Sequence, residues 1–212
     1  MKLLKKEEDT VQKKEVKAIL FDMDGVLVDS FDVWFNVVND TLKFFGRKES
    51  TLQQFKQEFG HSVEIDMETH YKGLKKNNIL KTYGTFFKKR INGVKLMPQA
   101  KTTLAKIKTK KIKIALITNS TRKITDMTLE KLKLKKYFDA VVTMDEVKHG
   151  KPAPDMVLSA CKMLKVKKEN VILVGDSIND ILASRNAGII SVGYKREGYH
   201  MINHIQEILK FI

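Results

Sequence analysis

The apolar run Val16 to Phe21, followed by Asp22-Met23-Asp24-Gly25-Val26-Leu27-Val28-Asp29, is the stretch on which the fold turns. The run has no polar alternation, as expected of a strand buried on both faces. It ends in two carboxylates two residues apart, Asp22 and Asp24. In open α/β sheets ligands bind beyond the carboxyl ends of strands, and these carboxylates stand there. Gly25 permits a sharp turn after them. Like charges held this close need a partner, and a metal ion is the usual one.

Working outward, four more short apolar runs predict strands: Ile112 to Ile117, Ala140 to Thr143, Val171 to Val174 and Ile189 to Val192. Helical patterns separate the later ones. Ala100, Leu104 and Ile107 share one helical face, as do Ala153, Val157, Ala160 and Leu164. Ile178, Ile181 and Leu182 mark a further helix. Pro98 and Pro154 stand where helices would start, having no amide hydrogen to lose there. Strands alternating with helices predict an α/β fold with a doubly wound parallel sheet. From Phe31 to about Lys95 the pattern is helical only. Trp34, Val37, Val38, Leu42 and Phe45 form one stripe, and Leu52, Phe55 and Phe59 a second, capped by Ser50 with Gln53. Val63, Met67, His70 and Tyr71 suggest a third helix, and Leu80, Tyr83, Phe87 and Ile91 a fourth. The expected organisation is a core of residues 1–30 and 96–212, with 1–16 a charged arm, and an inserted α-helical cap domain of residues 31–95.

Three other strand ends carry polar residues. Ile117-Thr118-Asn119-Ser120 offers a hydroxyl and fresh backbone amides at a helix start, a seat for phosphate. His149-Gly150-Lys151-Pro152-Ala153-Pro154-Asp155 places a lysine before a rigid Pro-x-Pro entry into a helix. Val174-Gly175-Asp176-Ser177-Ile178-Asn179-Asp180 puts two aspartates four apart on one helix face. Each piece alone could be a cap or a surface charge. Together they lie at the carboxyl ends of successive predicted strands, where one crevice can collect them.

That order resembles the haloacid dehalogenase-like phosphatase superfamily, whose signature is DxDGxLxD, a strand ending in Thr or Ser, a Lys, and GDSxxD. Here these are Asp22 to Asp29, Thr118, Lys151 and Gly175 to Asp180. The insert resembles the α-helical cap of the phosphoglycolate phosphatase and β-phosphoglucomutase branch. The resemblance implies a Mg²⁺-dependent phosphatase acting through an aspartyl phosphate. Asp22 would be the nucleophile and Asp24 the general acid and base. Thr118, the amide of Asn119 and Lys151 would neutralise the phosphoryl group. Asp22, the backbone carbonyl of Asp24 and Asp176 would hold Mg²⁺, with Asp180 holding the metal shell or Lys151. The substrate would be a small phosphorylated metabolite such as phosphoglycolate or a sugar phosphate.

The core motifs handle only the phosphoryl group, so selectivity falls to the cap. The turn Phe59-Gly60-His61-Ser62 is the expected contact loop, with His61 and Ser62 as its polar tips. Trp34 and the cap phenylalanines are expected in the core, and Asp29 and Ser30 as caps of the first cap helix.

Bulk properties set the limits. At 212 residues, 42% of them hydrophobic, the chain can bury a core without disulfides. Its one cysteine, Cys161, reads as a small core residue, and a cytoplasmic setting is the default. No stretch approaches the ~18 apolar residues of a membrane span. The formal charge of +15 raises the question of nucleic acid, but 35 of the 40 basic residues are lysine and no recognition motif accompanies them. A basic nucleic-acid-binding protein on this scaffold is therefore the alternative from another class. Within the enzyme class, a phosphomutase of the β-phosphoglucomutase type, a pyrophosphatase and a nucleotidase stay open. A dehalogenase is disfavoured by Asp24. The assembly is expected to be a monomer or a homodimer.

Overall fold

The computed structural model describes residues 15–212, so the expected charged arm lies outside the described residues except for its last two positions. The first strand, β1 (Ala18–Phe21), is buried throughout. A two-residue strand β2 (Val28–Asp29) follows it and pairs antiparallel with β3 (Lys95–Leu96). The remaining strands are β4 (Lys113–Thr118), β5 (Ala140–Thr143), β6 (Val171–Gly175), β7 (Ile190–Tyr194) and β8 (His200–Ile202). Six of them form one parallel sheet in the order β5-β4-β1-β6-β7-β8. Five were expected. The sixth, β8, is a three-residue edge strand with Met201 exposed, too short to show a pattern.

The sheet order sets the site. β1 lies between β4 and β6, with Phe21 in register with Leu116 and Val174. The residues that follow these three strand ends therefore open onto one edge of the sheet. Helices α5 (Ala100–Thr109), α6 (Arg122–Lys131), α7 (Asp155–Leu164) and α8 (Ile178–Ala187) connect the later strands. α7 packs on β4 and β5, and α8 on β6 and β7. Cys161 is buried in α7, as its apolar pattern predicts.

Between β2 and β3 the chain forms four helices: α1 (Phe31–Phe44), α2 (Leu52–Glu58), α3 (Val63–Thr69) and α4 (Lys76–Arg90). The β2–β3 pair ties the two crossings into this insert together, an element too short to read from sequence. α1 packs on α4, where Trp34 meets Tyr83 and Phe87 at ring-centroid distances of 5.8 and 5.1 Å. In α4 the inward row is Ile79, Tyr83 and Phe87, spaced by four. Leu80, expected in that row, is one residue off it and only half-buried. The α2 capping box is also displaced by one residue, to Thr51 with Gln54. Its cause is Asn39, whose side chain bonds both the N–H and the carbonyl of Ser50 and so keeps Ser50 out of the cap role. Helix α5 starts at Ala100 after Gln99, two residues beyond Pro98, whereas Pro154 is the N-cap of α7.

Candidate active site

The sharp exit from β1 is built by main-chain bonds. Gly25 N–H donates to the Val28 carbonyl, and the N–H groups of Leu27 and Val28 donate to the Met23 carbonyl. Gly25 has φ +81, and a Cβ there would lie 1.9 Å from Asp176 Oδ2. Only glycine meets both demands. At the end of β6, a Cβ on Gly175 would lie 2.2 Å from the Cβ of Asp180. The two glycines thus let three carboxylates close in. Asp22, Asp176 and Asp180 have oxygens within 4.8 Å of one another.

Lys151 lies among them and is 2% exposed. Its Nζ donates to Asp22 Oδ1 and to Asp180 Oδ1, both at 2.6 Å. Its main chain is held by Asn119, which accepts from the Lys151 N–H and donates to the Lys151 carbonyl. Asp180 is the N3 residue of the α8 capping box, accepting from the Ser177 N–H with its other oxygen. Burial would lower the Lys151 ammonium, but Asp180 and Asp22 outweigh it, so Lys151 stays protonated. One lysine cannot balance this many carboxylates. Burial and the adjoining aspartates push Asp22 up despite Lys151, and burial with Asp180 pushes Asp176 to about 7. A cluster of this kind, all oxygen and short of positive charge, fits a hard divalent cation.

Asp24 stands apart from the ion pair. Ser30 Oγ and Trp34 Nε1 donate to its Oδ1, the latter at 3.1 Å, and Ser120 Oγ donates to its Oδ2 at 3.2 Å. Burial raises the Asp24 carboxyl against these three donors. Thr118, at the end of β4, is buried and accepts from the Ser120 N–H through Oγ1.

Of these groups, Asp22, Asp24, Thr118, Asn119, Ser120 and Lys151 line one end of a cavity of about 90 Å³ whose other end is the helical insert. Trp34, Phe55, Phe59 and Tyr83 give that end its aromatic wall, and Glu58, His61, Asp66 and His70 its polar groups. His70 Nε2 and Glu58 Oε2 are 2.9 Å apart, and Tyr83 Oη donates to Asp66 Oδ2 at 3.1 Å. Gly60, in the turn between α2 and α3, accepts at its carbonyl from Asn119 Nδ2 and Asn179 Nδ2, at 3.2 and 3.0 Å. The insert is thus bonded directly to the strand ends.

The profile of the haloacid dehalogenase-like hydrolase family matches residues 19–194. The chain belongs to that family. A candidate pyrophosphatase, PpaX, of Caldanaerobacter subterraneus is 33% identical, over 85% of this chain and 82% of its own. A phosphorylated carbohydrates phosphatase of Thermotoga maritima is 31% identical, over 82% of each chain. A candidate phosphoglycolate phosphatase of Lactobacillus plantarum has the same fold, with a TM-score of 0.85 at 18% identity over 93% of this chain and all of its own. This haloacid dehalogenase-like hydrolase is an enzyme of the phosphoric monoester hydrolase class.

The hydrolase brings Asp22, Asp24, Thr118, Asn119, Lys151, Asp176 and Asp180 to one end of the cavity and its surroundings. In the contact turn, His61 lines the cavity, whereas Ser62 is buried at the N-cap of α3 and is not among the lining residues. Trp34 is not a plain core residue, because its indole N–H reaches Asp24. Ser30 is the N-cap of α1 by position, yet its hydroxyl goes to Asp24 and not to the helix. Ser120 reads in the sequence only as part of a helix start and Tyr83 only as a helix-stripe residue, and Glu58 and Asp66 carry no signal, since their partners are remote in the chain.

The ion-pair geometry carries a stability prediction. Lys151→Met strands two buried carboxylates, and breaking a buried pair typically costs about 3–5 kcal/mol. Urea denaturation in metal-free buffer should show a loss of that order at neutral pH. The deficit should shrink as the pH is lowered and the stranded carboxylates take up protons. An unchanged midpoint at neutral pH would mean that Lys151 is not held by charge.

Proposed function

We propose that this hydrolase is a Mg²⁺-dependent phosphatase that cleaves small phosphorylated metabolites through an aspartyl phosphate on Asp22. The observation that carries the reading is the division of labour between two carboxyl groups at one cavity end. Asp22 is held by Lys151 in the carboxylate cluster, and Asp24 is held apart by three neutral donors. The carboxylate oxygen of Asp22 attacks phosphorus, and the bond from phosphorus to the leaving oxygen breaks. Asp24, its proton favoured by burial, gives that proton to the leaving oxygen. Asp24 then takes a proton from water, which attacks phosphorus and releases phosphate from Asp22. Lys151, with Thr118 and the Asn119 amide, offsets the spread negative charge of the phosphoryl group. Asp22, Asp176 and the Asp24 carbonyl would hold Mg²⁺, with Asp180 supporting them, and the ion would supply further charge neutralisation there. In this reading residues 31–95 act as a cap over a core of residues 1–30 and 96–212. A lid docked through Gly60 excludes water from the phosphoenzyme.

Free phosphate released from a panel of phosphorylated metabolites in the presence of Mg²⁺ tests the reading. A phosphomutase would return an isomerised phosphate ester in place of free phosphate. Asp24→Asn should lower turnover on alkyl phosphates by on the order of 10²–10⁴-fold, the usual worth of acid–base help. p-Nitrophenyl phosphate, whose leaving group needs no proton, should lose less in the first step. Equal losses on both substrates would remove Asp24 from the acid role.

A further inference from the structure

The cavity wall opposite the catalytic cluster has a charge that pyrophosphate and phosphoglycolate, named for two of the relatives, do not suit. Among the described residues lining the cavity, Lys151 is the one lysine, and none is arginine. Lys151 is already bonded to Asp22 and Asp180. The insert side presents the carboxylates of Glu58 and Asp66. Of its two imidazoles, His61 is held below its ordinary value by burial and is neutral at neutral pH, and His70 is paired with Glu58. A second phosphate or a carboxylate on the substrate would therefore meet Asp66 and the Glu58–His70 pair with no free lysine or arginine to receive it, and like-charge juxtaposition costs several kcal/mol at an interface. Hydroxyl groups would find the opposite. Carboxylates and imidazoles accept their hydrogen bonds, and the aromatic faces of Trp34 and Tyr83 cover carbon. The volume, about 90 Å³, is below the several hundred Å³ of pockets for drug-sized ligands, which favours a short chain over a bulky leaving group.

We infer that Glu58 and Asp66 select a short, uncharged, hydroxyl-bearing alcohol as the leaving group and reject substrates with a second anionic group. This deepens the phosphatase reading and rests on it. It also sets the protein apart from a pyrophosphatase and from a mutase that must hold a bisphosphate.

Two matched pairs test it: glycerol 1-phosphate against 3-phosphoglycerate, and 2-hydroxyethyl phosphate against phosphoglycolate. Each pair differs by a hydroxymethyl group in place of a carboxylate. With Mg²⁺ present, kcat/KM should favour the uncharged member of each pair by ~10-fold or more, and pyrophosphate should be poor. Glu58→Gln and Asp66→Asn, made separately so that one misfolded variant does not end the test, should each narrow the ratio by improving the anionic member relative to its mate. The Asn amide can still accept from Tyr83. Preference for 3-phosphoglycerate, phosphoglycolate or pyrophosphate overturns the inference. So does a tenfold preference for ethanolamine phosphate over 2-hydroxyethyl phosphate, which would assign a cationic leaving group. Ratios unmoved in both folded variants overturn the role of these two carboxylates. Failure to hydrolyse every ester, p-nitrophenyl phosphate included, marks failure of the phosphatase reading itself, and the inference falls with it.

Discussion

Asp22→Asn is expected to abolish turnover, by on the order of 10⁴–10⁶-fold, the scale seen when a covalent nucleophile is removed. The amide is nearly isosteric with the carboxylate and can still accept from Lys151, so the pair is weakened but not left empty. The Asp22 main-chain N–H also keeps its bond to the Val174 carbonyl. The fold should therefore survive, with unchanged circular dichroism. Its stability should change in a telling direction. Burial, with the charges of Asp180, Asp176 and Asp24 around it, holds the Asp22 carboxyl well above the ordinary range despite Lys151. Removing one charge from that crowd relieves repulsion, so the metal-free variant should be at least as stable as the parent. Acid quench of the parent during turnover should trap a phosphoryl group that hydroxylamine releases, and the variant should trap none. Near-parental turnover by Asp22→Asn, in a preparation free of contaminating phosphatase, would sink the covalent mechanism.

Removal of divalent metal should have an effect of comparable size. Chelation with EDTA should bring turnover to background, and added Mg²⁺ should restore it. The cause lies in the charge balance: among the described residues, Lys151 is the one cation paired with carboxylates of the cluster, through Asp22 and Asp180, and Arg196 reaches only the Asp176 carbonyl. The same balance predicts a signal that does not depend on catalysis. A cation that binds only the folded state at 100 times its Kd adds about 2.7 kcal/mol. For a chain of this length that is a rise in Tm of roughly 5–10 °C. Asp176→Asn should lose most of the rise. Ca²⁺ should give a rise without turnover, because its looser coordination does not hold the attacking carboxylate in place. Ligation needs deprotonated carboxylates, and Asp176 lies at about 7 before metal binds. The Mg²⁺ concentration for half-maximal activity should thus increase as the pH falls from 8 to 6. Full turnover in excess EDTA, after exhaustive metal removal, would contradict the metal assignment.

Much of this protein is determined by local sequence. The apolar runs before Asp22, Thr118 and Asp176 state the parallel sheet, because a strand covered on both faces has no polar alternation to hide. The carboxyl-end residues follow from the strands, so Asp22, Asp24, Thr118, Lys151, Asp176 and Asp180 could be read as one group before any coordinate. The helices of the insert were equally legible from their stripes, although α4 begins at Lys76, four residues before the first residue of its stripe, Leu80. What the tertiary structure alone decided concerns contacts between distant segments. β2 and β3 are two residues each, and their pairing is fixed only when the insert returns to its point of departure. Ser30, Trp34 and Ser120 look like a cap, a core aromatic and a cap in one dimension, but the turn at Gly25 carries them all to Asp24. Glu58 and Asp66 sit on separate short helices among surface charges, and nothing local distinguishes them from solvated residues. They face the substrate cavity because Gly60 is bonded across the gap by Asn119 and Asn179, and that docking is a property of the folded chain. The strand-end residues are thus written in local sequence, which periodicity reveals, whereas the placing of Glu58 and Asp66 at the cavity depends on how the helical insert seats on the strand ends, which periodicity does not encode.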